Sequence, residues 1–312
     1  MANSYSYFSV ALKIGIARGF RARADTIDNK GMISSPNQPA IWIGGGTITL
    51  LTNHSTGTIK GGIQTGDYAS YLKTLNNAGL ITNAKQGQLN AGYAVHNNGA
   101  QNIVIINSGT IEGYETEGTV QNFQNTGAIT GNGLSVRSTI KTLTLGNNST
   151  INKGIELRGT IQSLTNDSST LKITNYARGQ IQNLQGSGTI TSLDNRGTIK
   201  TLNNTMNGNL TNSGKIESGS ITFQSGQLTN QQSGTIGGTV SGTITSLDNQ
   251  GTIKTLNNTM NGNLTNSGKI ESGSITFQSG QLTNQQSGTI GGTVSGTITS
   301  LDNQGTIKTL NN

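Results

Sequence analysis

The stretch that decides the fold is residues 188–241, which read GTITSLDNRGTIKTLNNTMNGNLTNSGKIESGSITFQSGQLTNQQSGTIGGTVS. Residues 242–295 repeat all 54 positions with a single change, from Arg196 to Gln250, and residues 296–312 begin a third copy. Tandem repeats of this kind are typical of solenoids and related arrays, in which each unit buries its apolar side against its neighbours. The repeat therefore predicts a stack of similar structural units.

A shorter period lies inside each copy. The motif Gly-x-Ile begins at Gly197, Gly214, Gly234 and Gly251, with spacings of 17, 20 and 17 residues. Degenerate forms of the same motif begin upstream at Gly57, Gly109, Gly127, Gly159 and Gly179. Thr, Ile and Val favour strands, Gly and Asn favour turns, and no window carries the apolar stripe of an amphipathic helix. Each copy is therefore interpreted as three turns of short strands.

A turn of about 18 residues cannot bury its own inward side chains, but stacking turns at the strand spacing of about 4.8 Å gives them a shared core. The sequence thus predicts an all-β parallel β-solenoid, and specifically a right-handed β-helix of about 15 coils averaging about 18 residues. Twelve apolar residues of the first copy are predicted to point inward: Ile190, Leu193, Ile199, Leu202, Met206, Leu210, Ile216, Ile221, Phe223, Leu228, Ile236 and Val240. Asn203, Asn212 and Asn230 are expected to hydrogen-bond at turns, in asparagine ladders or to their own backbone.

Three segments follow from the pattern: an irregular N-terminal segment at residues 1–24, degenerate coils at 25–187, and the repeats at 188–312. Six of the seven tyrosines and the only tryptophan precede residue 115, namely Tyr5, Tyr7, Trp42, Tyr68, Tyr71, Tyr93 and Tyr114. Solenoids need atypical terminal coils to close the core. The aromatics are therefore interpreted as a cap with irregular first coils, and an exposed aromatic binding patch is the alternative.

Composition excludes several classes of protein. Only 30% of residues are hydrophobic and 11% charged, and the net charge of +7 is not concentrated in the repeats, which are nearly neutral and poor in aromatics. Nucleic-acid binders concentrate basic residues with stacking aromatics, so no nucleic-acid partner is predicted. The chain has no cysteine, which excludes disulfides, and no apolar run long enough to predict membrane insertion. Because the basic residues follow the first short apolar patch, no intact signal peptide is predicted.

The sequence predicts no catalytic, cofactor-binding or metal site, and hence no enzyme. Its two histidines, His54 and His96, have no His, Asp or Glu within two residues, and each is interpreted as a solvated loop or coil-surface residue. Glu112, Glu115 and Glu117 cluster in EGYETEG, which is interpreted as an acidic excursion loop, with a weak cation site as the alternative. The glycines at 44–46 lack the Lys-Ser/Thr of a phosphate loop and predict a turn.

The runs NSGTI at 107–111, NTGAI at 125–129 and NSGKI at 212–216 resemble the coils of Gram-negative autotransporter passengers, in the style of Campylobacter and Helicobacter surface adhesins. The resemblance covers about residues 25–312. It implies type V secretion through a C-terminal outer-membrane β-barrel and display at the cell surface, with this chain a fragment that lacks the barrel. It also implies a non-enzymatic role in adhesion or structural display, with a host-cell surface or extracellular matrix as partner.

Several alternatives stay open. A carbohydrate-active β-helix enzyme would need converging carboxylates, and a phage-fibre-like solenoid would bind glycans through its surface. Outward Thr-x-Thr pairs at 189–191, 243–245 and 297–299 would suit ice or crystal binding, but they recur only once per copy. Because the sequence stops inside a repeat at Asn312, end-to-end self-association through an open edge is also expected.

Overall fold

The computed structural model describes residues 12–17, 20–36, 38–66, 70–83, 92–101 and 103–311. They form two compact units, Met1–Gly154 (unit 1) and Ile155–Asn312 (unit 2). Both units are parallel β-solenoids, no α-helix occurs among the described residues, and the turns number about 14 with about 19 residues each. The predicted fold class is confirmed with slightly fewer and longer turns, and the right-handed sense and the three predicted segment boundaries stay predictions.

Unit 1 contains nineteen described strands. They are β1 (Leu12–Ala17), β2 (Phe20–Arg21), β3 (Arg23–Asn29), β4 (Met32–Ser34), β5 (Ile41–Gly44), β6 (Thr47–Asn53), β7 (Thr58–Gly61), β8 (Ile63–Thr65), β9 (Tyr71–Asn77), β10 (Leu80–Asn83), β11 (Val95–Asn97), β12 (Ile103–Asn107), β13 (Thr110–Ile111), β14 (Tyr114–Thr116), β15 (Val120–Asn125), β16 (Ala128–Ile129), β17 (Leu134–Val136), β18 (Thr139–Leu145) and β19 (Thr150–Ile151). Short strands separated by turns are what the Gly- and Asn-punctuated sequence predicts.

The strands of unit 1 stack in three columns, so that a complete turn uses one strand from each. The first column is β3, β6, β9, β12, β15 and β18, and the second is β4, β7, β10, β13, β16 and β19. The third column is β1, β5, β8, β11, β14 and β17. All described pairs in the unit are parallel except that of β1 with β2. Equivalent residues of successive turns therefore lie above one another.

Unit 2 contains fourteen described strands. They are β20 (Ile155–Leu157), β21 (Thr160–Asn166), β22 (Leu171–Asn175), β23 (Gln180–Asn195), β24 (Thr198–Asn212), β25 (Lys215–Ser225), β26 (Gln227–Asn230), β27 (Thr235–Asn249), β28 (Thr252–Asn266), β29 (Lys269–Ser279), β30 (Gln281–Asn284), β31 (Thr289–Gly296), β32 (Ser300–Asn303) and β33 (Thr306–Asn311). Matching strands of the two full copies, such as β24 and β28, have the same burial pattern. The two copies therefore make the same structure twice.

The core of unit 2 consists of aliphatic columns. Ile199 pairs with Ile181 of the preceding turn and with Ile216 of the next, and all three side chains are buried. Each of the twelve predicted inward residues of the first copy is at most 2% exposed. Burial in a common core is the main stabilising term for turns that have so few apolar residues each. The predicted core is confirmed.

A ladder of asparagines, all buried except Asn303, runs along each unit at the ends of strands. In each step the side-chain amide donates to the side-chain oxygen of the next turn, at 2.6–2.8 Å from Asn29 through Asn125 in unit 1 and at 2.7–2.9 Å from Asn175 through Asn303 in unit 2. Asn212 and Asn230 are members, as predicted. Asn203 is instead exposed on β24, where its side-chain oxygen accepts the Ser220 amide.

The described aromatics of unit 1 are partly or fully buried. Tyr114 is fully buried and packs edge-on against Phe123, with ring centroids 4.9 Å apart. Trp42 is half-buried, and the Lys13 ammonium lies 4.6 Å from its ring centroid. Tyr5, Tyr7 and Tyr68 lie outside the described residues. Tyr114 thus belongs to the core, as the structural interpretation of the aromatics expects, and not to an exposed binding patch.

Candidate functional site

The third column of unit 1 brings a row of polar side chains together. Residues Trp42, Gln64, His96, Glu115 and Ser135 are paired in register on β5, β8, β11, β14 and β17. Each has inward-facing neighbours on its strand, and since side chains alternate between the faces of a strand, all five lie on the outward face. Successive members are therefore separated by about one strand spacing of 4.8 Å.

The prediction that His96 is a solvated surface residue is wrong. It lies in the middle of β11 and is only 8% exposed, while Glu115 on the adjacent strand is 3% exposed. The imidazole Nε2 is 3.4 Å from Oε2 of Glu115. Both ring nitrogens are buried and have no hydrogen-bond partner among the described residues. The parallel register brings the two residues together although they are 19 positions apart in sequence.

The acidic run EGYETEG is not a single excursion loop, because its centre is strand β14. Glu115 belongs to that strand and is buried, whereas Glu117 follows it with 40% of its side chain exposed. Glu112 lies elsewhere, and its carboxylate accepts the backbone amide of Asn83 at 3.0 Å. The run therefore separates into one buried carboxylate, one accessible carboxylate beside it, and a third that stabilises another strand.

Two further residues complete the group, and sequence reasoning missed both. Arg137 Nε donates to Oε1 of Glu115 at 2.6 Å and lies 3.9 Å from Oε1 of Glu117. Ser135 Oγ donates to the same Oε1 of Glu115 at 3.2 Å. The sequence signal for this group is the spacing from His96 to Glu115 to Ser135, which matches one turn of the solenoid at each step. We call His96, Glu115, Glu117, Ser135 and Arg137 the polar cluster.

Burial and charge act in opposite directions on His96. Desolvation lowers the pKa of the imidazole, and the guanidinium of Arg137 lowers it further, whereas the carboxylates of Glu115 and Glu117 raise it. Desolvation is the largest effect, so the pKa lies below its ordinary value of 6.5 and the ring is mainly neutral at pH 7. Burial also raises the pKa of the Tyr114 phenol far above its usual value. The cluster therefore holds a mainly neutral imidazole beside a carboxyl group that is bound by Arg137.

The geometry of the polar cluster does not match a hydrolytic triad. A serine nucleophile must hydrogen-bond to the histidine that deprotonates it, but Ser135 donates to Glu115, and His96 receives no hydrogen bond. The imidazole nitrogen and the carboxylate oxygens of the cluster are, by contrast, atoms that bind cations. One ligand atom each from His96, Glu115 and Glu117 can be chosen so that all lie within 4.8 Å of one another.

The other residues considered from sequence lie apart from the cluster. His54 is half-buried at the surface after β6 and contacts Asp28, with 2.5 Å between Nε2 and Oδ1. The predicted turn at residues 44–46 is confirmed, because Gly45 adopts a φ of 78° between β5 and β6. A side chain at Gly44 would collide with the Trp42 ring, which explains the small residue there.

Unit 2 presents a second feature, which we call the turn edge. It consists of the residues that directly follow the ladder asparagines, together with their neighbours in the turn. At its start the Tyr176 ring is contacted by two guanidinium groups, with Arg158 Cζ at 4.0 Å and Arg196 Cζ at 6.0 Å from the ring centroid. Each arginine is also paired with a carboxylate of the strand that it follows, Arg158 with Glu156 of β20 and Arg196 with Asp194 of β23. This part of the edge is therefore ordered and locally charge-balanced.

Further along, the turn edge has two matching grooves. The first groove is lined by Thr229, Gln231, Gln232, Ser233 and Gln250. The second groove is lined by the residues 54 positions later, Thr283, Gln285, Gln286, Ser287 and Gln304, together with Asp302. Both grooves are shallow and consist mainly of amide and hydroxyl groups. The repeat thus places the same polar recess on the surface twice.

The sequence matches no protein-family model, and comparisons with curated proteins and with solved structures find no match. Within the described part of the chain, no helix is long and apolar enough to cross a membrane. Function is therefore inferred from the fold, the polar cluster and the turn edge.

Proposed function

We propose that this chain is a non-enzymatic β-solenoid passenger that acts in adhesion or structural display at a bacterial cell surface, and that it contacts a host-cell surface or extracellular matrix through its turn edge. The observation that supports this proposal is the recurrence of one groove at a 54-residue interval. An enzyme needs one well-formed site, whereas an adhesin gains from several copies of a weak one, because linked sites bind with higher avidity.

The lining of the grooves indicates the chemistry of the partner. The Gln side chains of the first groove, Gln231, Gln232 and Gln250, each offer both donors and acceptors, as the hydroxyls of Thr229 and Ser233 also do. Such groups match the hydroxyls of a carbohydrate better than an apolar or highly charged ligand. The partner we propose is therefore a polyhydroxylated chain, such as a glycan of the host surface or matrix.

The passenger role rests on the fold and on the Asn-x-Gly-x-Ile turns. A parallel β-solenoid is compatible with an autotransporter passenger. In that role the chain would be secreted by a type V pathway and lie outside the cell. Antibody labelling and protease treatment of intact bacteria that express the gene test this directly. Labelling and cleavage on intact cells would support the role, and protection until the cells are lysed would contradict it.

One alternative function is supported by the same grooves. A phage-fibre-like solenoid that binds glycans would use identical amide and hydroxyl surfaces, and it differs in being part of a virion instead of a cell surface. The cell-labelling experiment distinguishes the two. The carbohydrate-active enzyme alternative would need two carboxylates open to a sugar. In the polar cluster Glu115 is buried and bound by Arg137, so the described residues there do not favour it.

At least one threonine of each pair donates a hydrogen bond to the backbone of the preceding turn. Thr191 Oγ1 donates to the Leu171 carbonyl at 3.2 Å, and Thr245 Oγ1 donates to the Gly226 carbonyl at 2.8 Å. These hydroxyls link neighbouring turns, which does not favour a regular ice- or crystal-binding face.

Adhesion can be tested with beads coated with the purified chain and applied to epithelial cells, matrix proteins and immobilised glycans. The variant replaces Gln231, Gln232, Gln285 and Gln286 with Ala, which removes the main amides of both grooves. The control replaces Gln224 and Gln278 with Ala. These two glutamines are exposed at equivalent positions of β25 and β29, outside the grooves. The proposal predicts that the groove variant loses most binding while the control retains it. Binding no greater than that of bare beads, or equal loss in both variants, would contradict the proposal.

A further inference from the structure

His96 is buried in a way that requires a partner. It is 8% exposed, its two ring nitrogens have no hydrogen bond among the described residues, and Nε2 faces Oε2 of Glu115. A buried polar atom without a partner costs about 1–3 kcal/mol, so such atoms are rare in folded proteins. If Nε2 carries no proton, its lone pair faces a carboxylate oxygen. A cation between the two atoms would satisfy both.

The distance between the ligand atoms of His96 and Glu115 fits such a cation. A tetrahedral ion with bonds of about 2.0–2.1 Å holds its ligand atoms about 3.3 Å apart. The observed separation of His96 Nε2 and Glu115 Oε2 is 3.4 Å, which is longer than a good hydrogen bond and close to this value. A carboxylate oxygen of Glu117 completes the set within 4.8 Å. We propose that His96, Glu115 and Glu117 bind one divalent transition-metal ion, for which Zn²⁺ is the best chemical match.

The surrounding hydrogen bonds prepare Glu115 for this role. Arg137 and Ser135 both donate to Oε1, at 2.6 and 3.2 Å, so that Oε2 is the oxygen left facing His96. Outer hydrogen bonds of this kind orient metal-binding carboxylates in known sites. Arg137 therefore acts as a positioning residue and does not compete for the ligand oxygen.

The donor set selects among cations. Imidazole is a good ligand for Zn²⁺ and its transition-metal neighbours, whereas Ca²⁺ and Mg²⁺ prefer sites made only of oxygen. Three protein ligands leave a fourth position for water, and the accessible Glu117 places that position toward solvent. Because His96 and Glu115 come from successive turns, a bound ion would also link β11 to β14 and stabilise that part of unit 1.

The test uses the full chain without a histidine tag, treated with a chelator and then titrated with ZnCl₂ by calorimetry, with CaCl₂ in parallel. We expect about one Zn²⁺ per chain, a raised melting temperature, and much weaker binding of Ca²⁺. His96→Gln and Glu117→Gln should each weaken Zn²⁺ binding at least about tenfold. His54→Gln is the matched control, because His54 lies beside Asp28 outside the cluster and its loss should leave the binding unchanged.

Three results would overturn the proposal. The first is that the chain binds no Zn²⁺ above the chelator-treated baseline. The second is that His54→Gln loses Zn²⁺ binding while His96→Gln retains it. The third is that Ca²⁺ binds as tightly as Zn²⁺ and still binds as tightly to His96→Gln. If His96→Gln does not fold by circular dichroism, Glu117→Gln decides the question, because this side chain is 40% exposed and its replacement should not disturb folding.

Discussion

The side-chain amide of Asn195 donates to Oδ1 of Asn212 at 2.7 Å, and both side chains are fully buried. The same bond recurs 54 residues later between Asn249 and Asn266, also at 2.7 Å. Each ladder asparagine thus satisfies one neighbour as donor and the other as acceptor, which allows polar groups to stay inside a narrow solenoid.

Replacing one ladder residue should therefore be costly. In Asn212→Leu, the amide of Asn195 and the oxygen of Asn230 both lose their hydrogen bond to residue 212, and we expect a loss of about 3 kcal/mol in the free energy of unfolding. Denaturant unfolding followed by circular dichroism measures it. Asn207→Ala is the control, since Asn207 is exposed on the same strand and should change stability by less than about 0.5 kcal/mol. Equal effects would show that the ladder does not contribute to stability.

Removal of residues 242–295 should leave a folded protein. Solenoid stability is approximately a sum of terms between neighbouring turns, and the deletion joins Ser241 to Gly296, which is equivalent to Gly242. Gly242 lies against the Phe223 carbonyl as Gly296 lies against that of Phe277, so the new junction meets the same contacts. We expect a nearly unchanged melting temperature.

The matched control for this deletion removes residues 242–286 instead. The 45-residue deletion is not a whole number of turns, so inward side chains after the junction would face outward and the shortened chain should be much less stable. If thermal melts of the two deletions are alike, the three-turn interpretation of the repeat is wrong.

Gly226 is a position where only glycine fits. Its φ is 136°, and a Cβ there would lie 1.8 Å from the backbone oxygen of Gly208 in the preceding turn. We expect Gly226→Ala to cost at least about 1–3 kcal/mol from backbone strain alone, with a further cost from the collision. Gly31→Ala is the control because nothing lies within 4 Å of a Cβ at Gly31. Comparable melting temperatures for the two variants would contradict the close stacking of turns.

Asp167 should titrate at unusually low pH. The backbone amide and the hydroxyl of Ser187 both donate to its carboxylate, at 2.9 and 2.7 Å, and lower its pKa below 3.8. Because the folded-state pKa is lowered, the stabilisation is present above the unfolded pKa and is lost as the pH falls through the folded one. A carboxyl titration followed by NMR should show this, and Ser187→Ala should raise the pKa. An unchanged pKa in that variant would contradict the assigned hydrogen bonds.

The repeats made unit 2 predictable from sequence. With spacings of 17–20 residues between ladder asparagines, the pairing of Ile199 with Ile216 and the inward position of Asn212 can be counted directly. In unit 1 the corresponding spacings are 24, 24, 30 and 18 residues. Register cannot be counted across turns of such uneven length.

The polar cluster was missed because its local sequence gives no sign of burial. His96 and Glu115 sit in locally polar sequence that favours a solvated interpretation, and only the parallel register of β11 with β14 makes them neighbours. Both side chains lie on the outward face of their strands, so the alternation of inward and outward side chains does not predict that they are buried. Their burial depends on the surrounding structure. Arg137 has no local sequence signal at all, because its partner is 22 residues away.

The central claim, that the chain adheres through grooves repeated with each 54-residue copy, is tested most directly by varying the number of copies. Chains that lack residues 242–295, that match the present sequence, or that carry one extra copy would have one, two or three grooves on the same fold. The chains are bound to immobilised glycan or matrix and their dissociation rates are measured. We expect the dissociation rate to fall at least about tenfold with each added groove. Dissociation rates that do not change with copy number would contradict the claim.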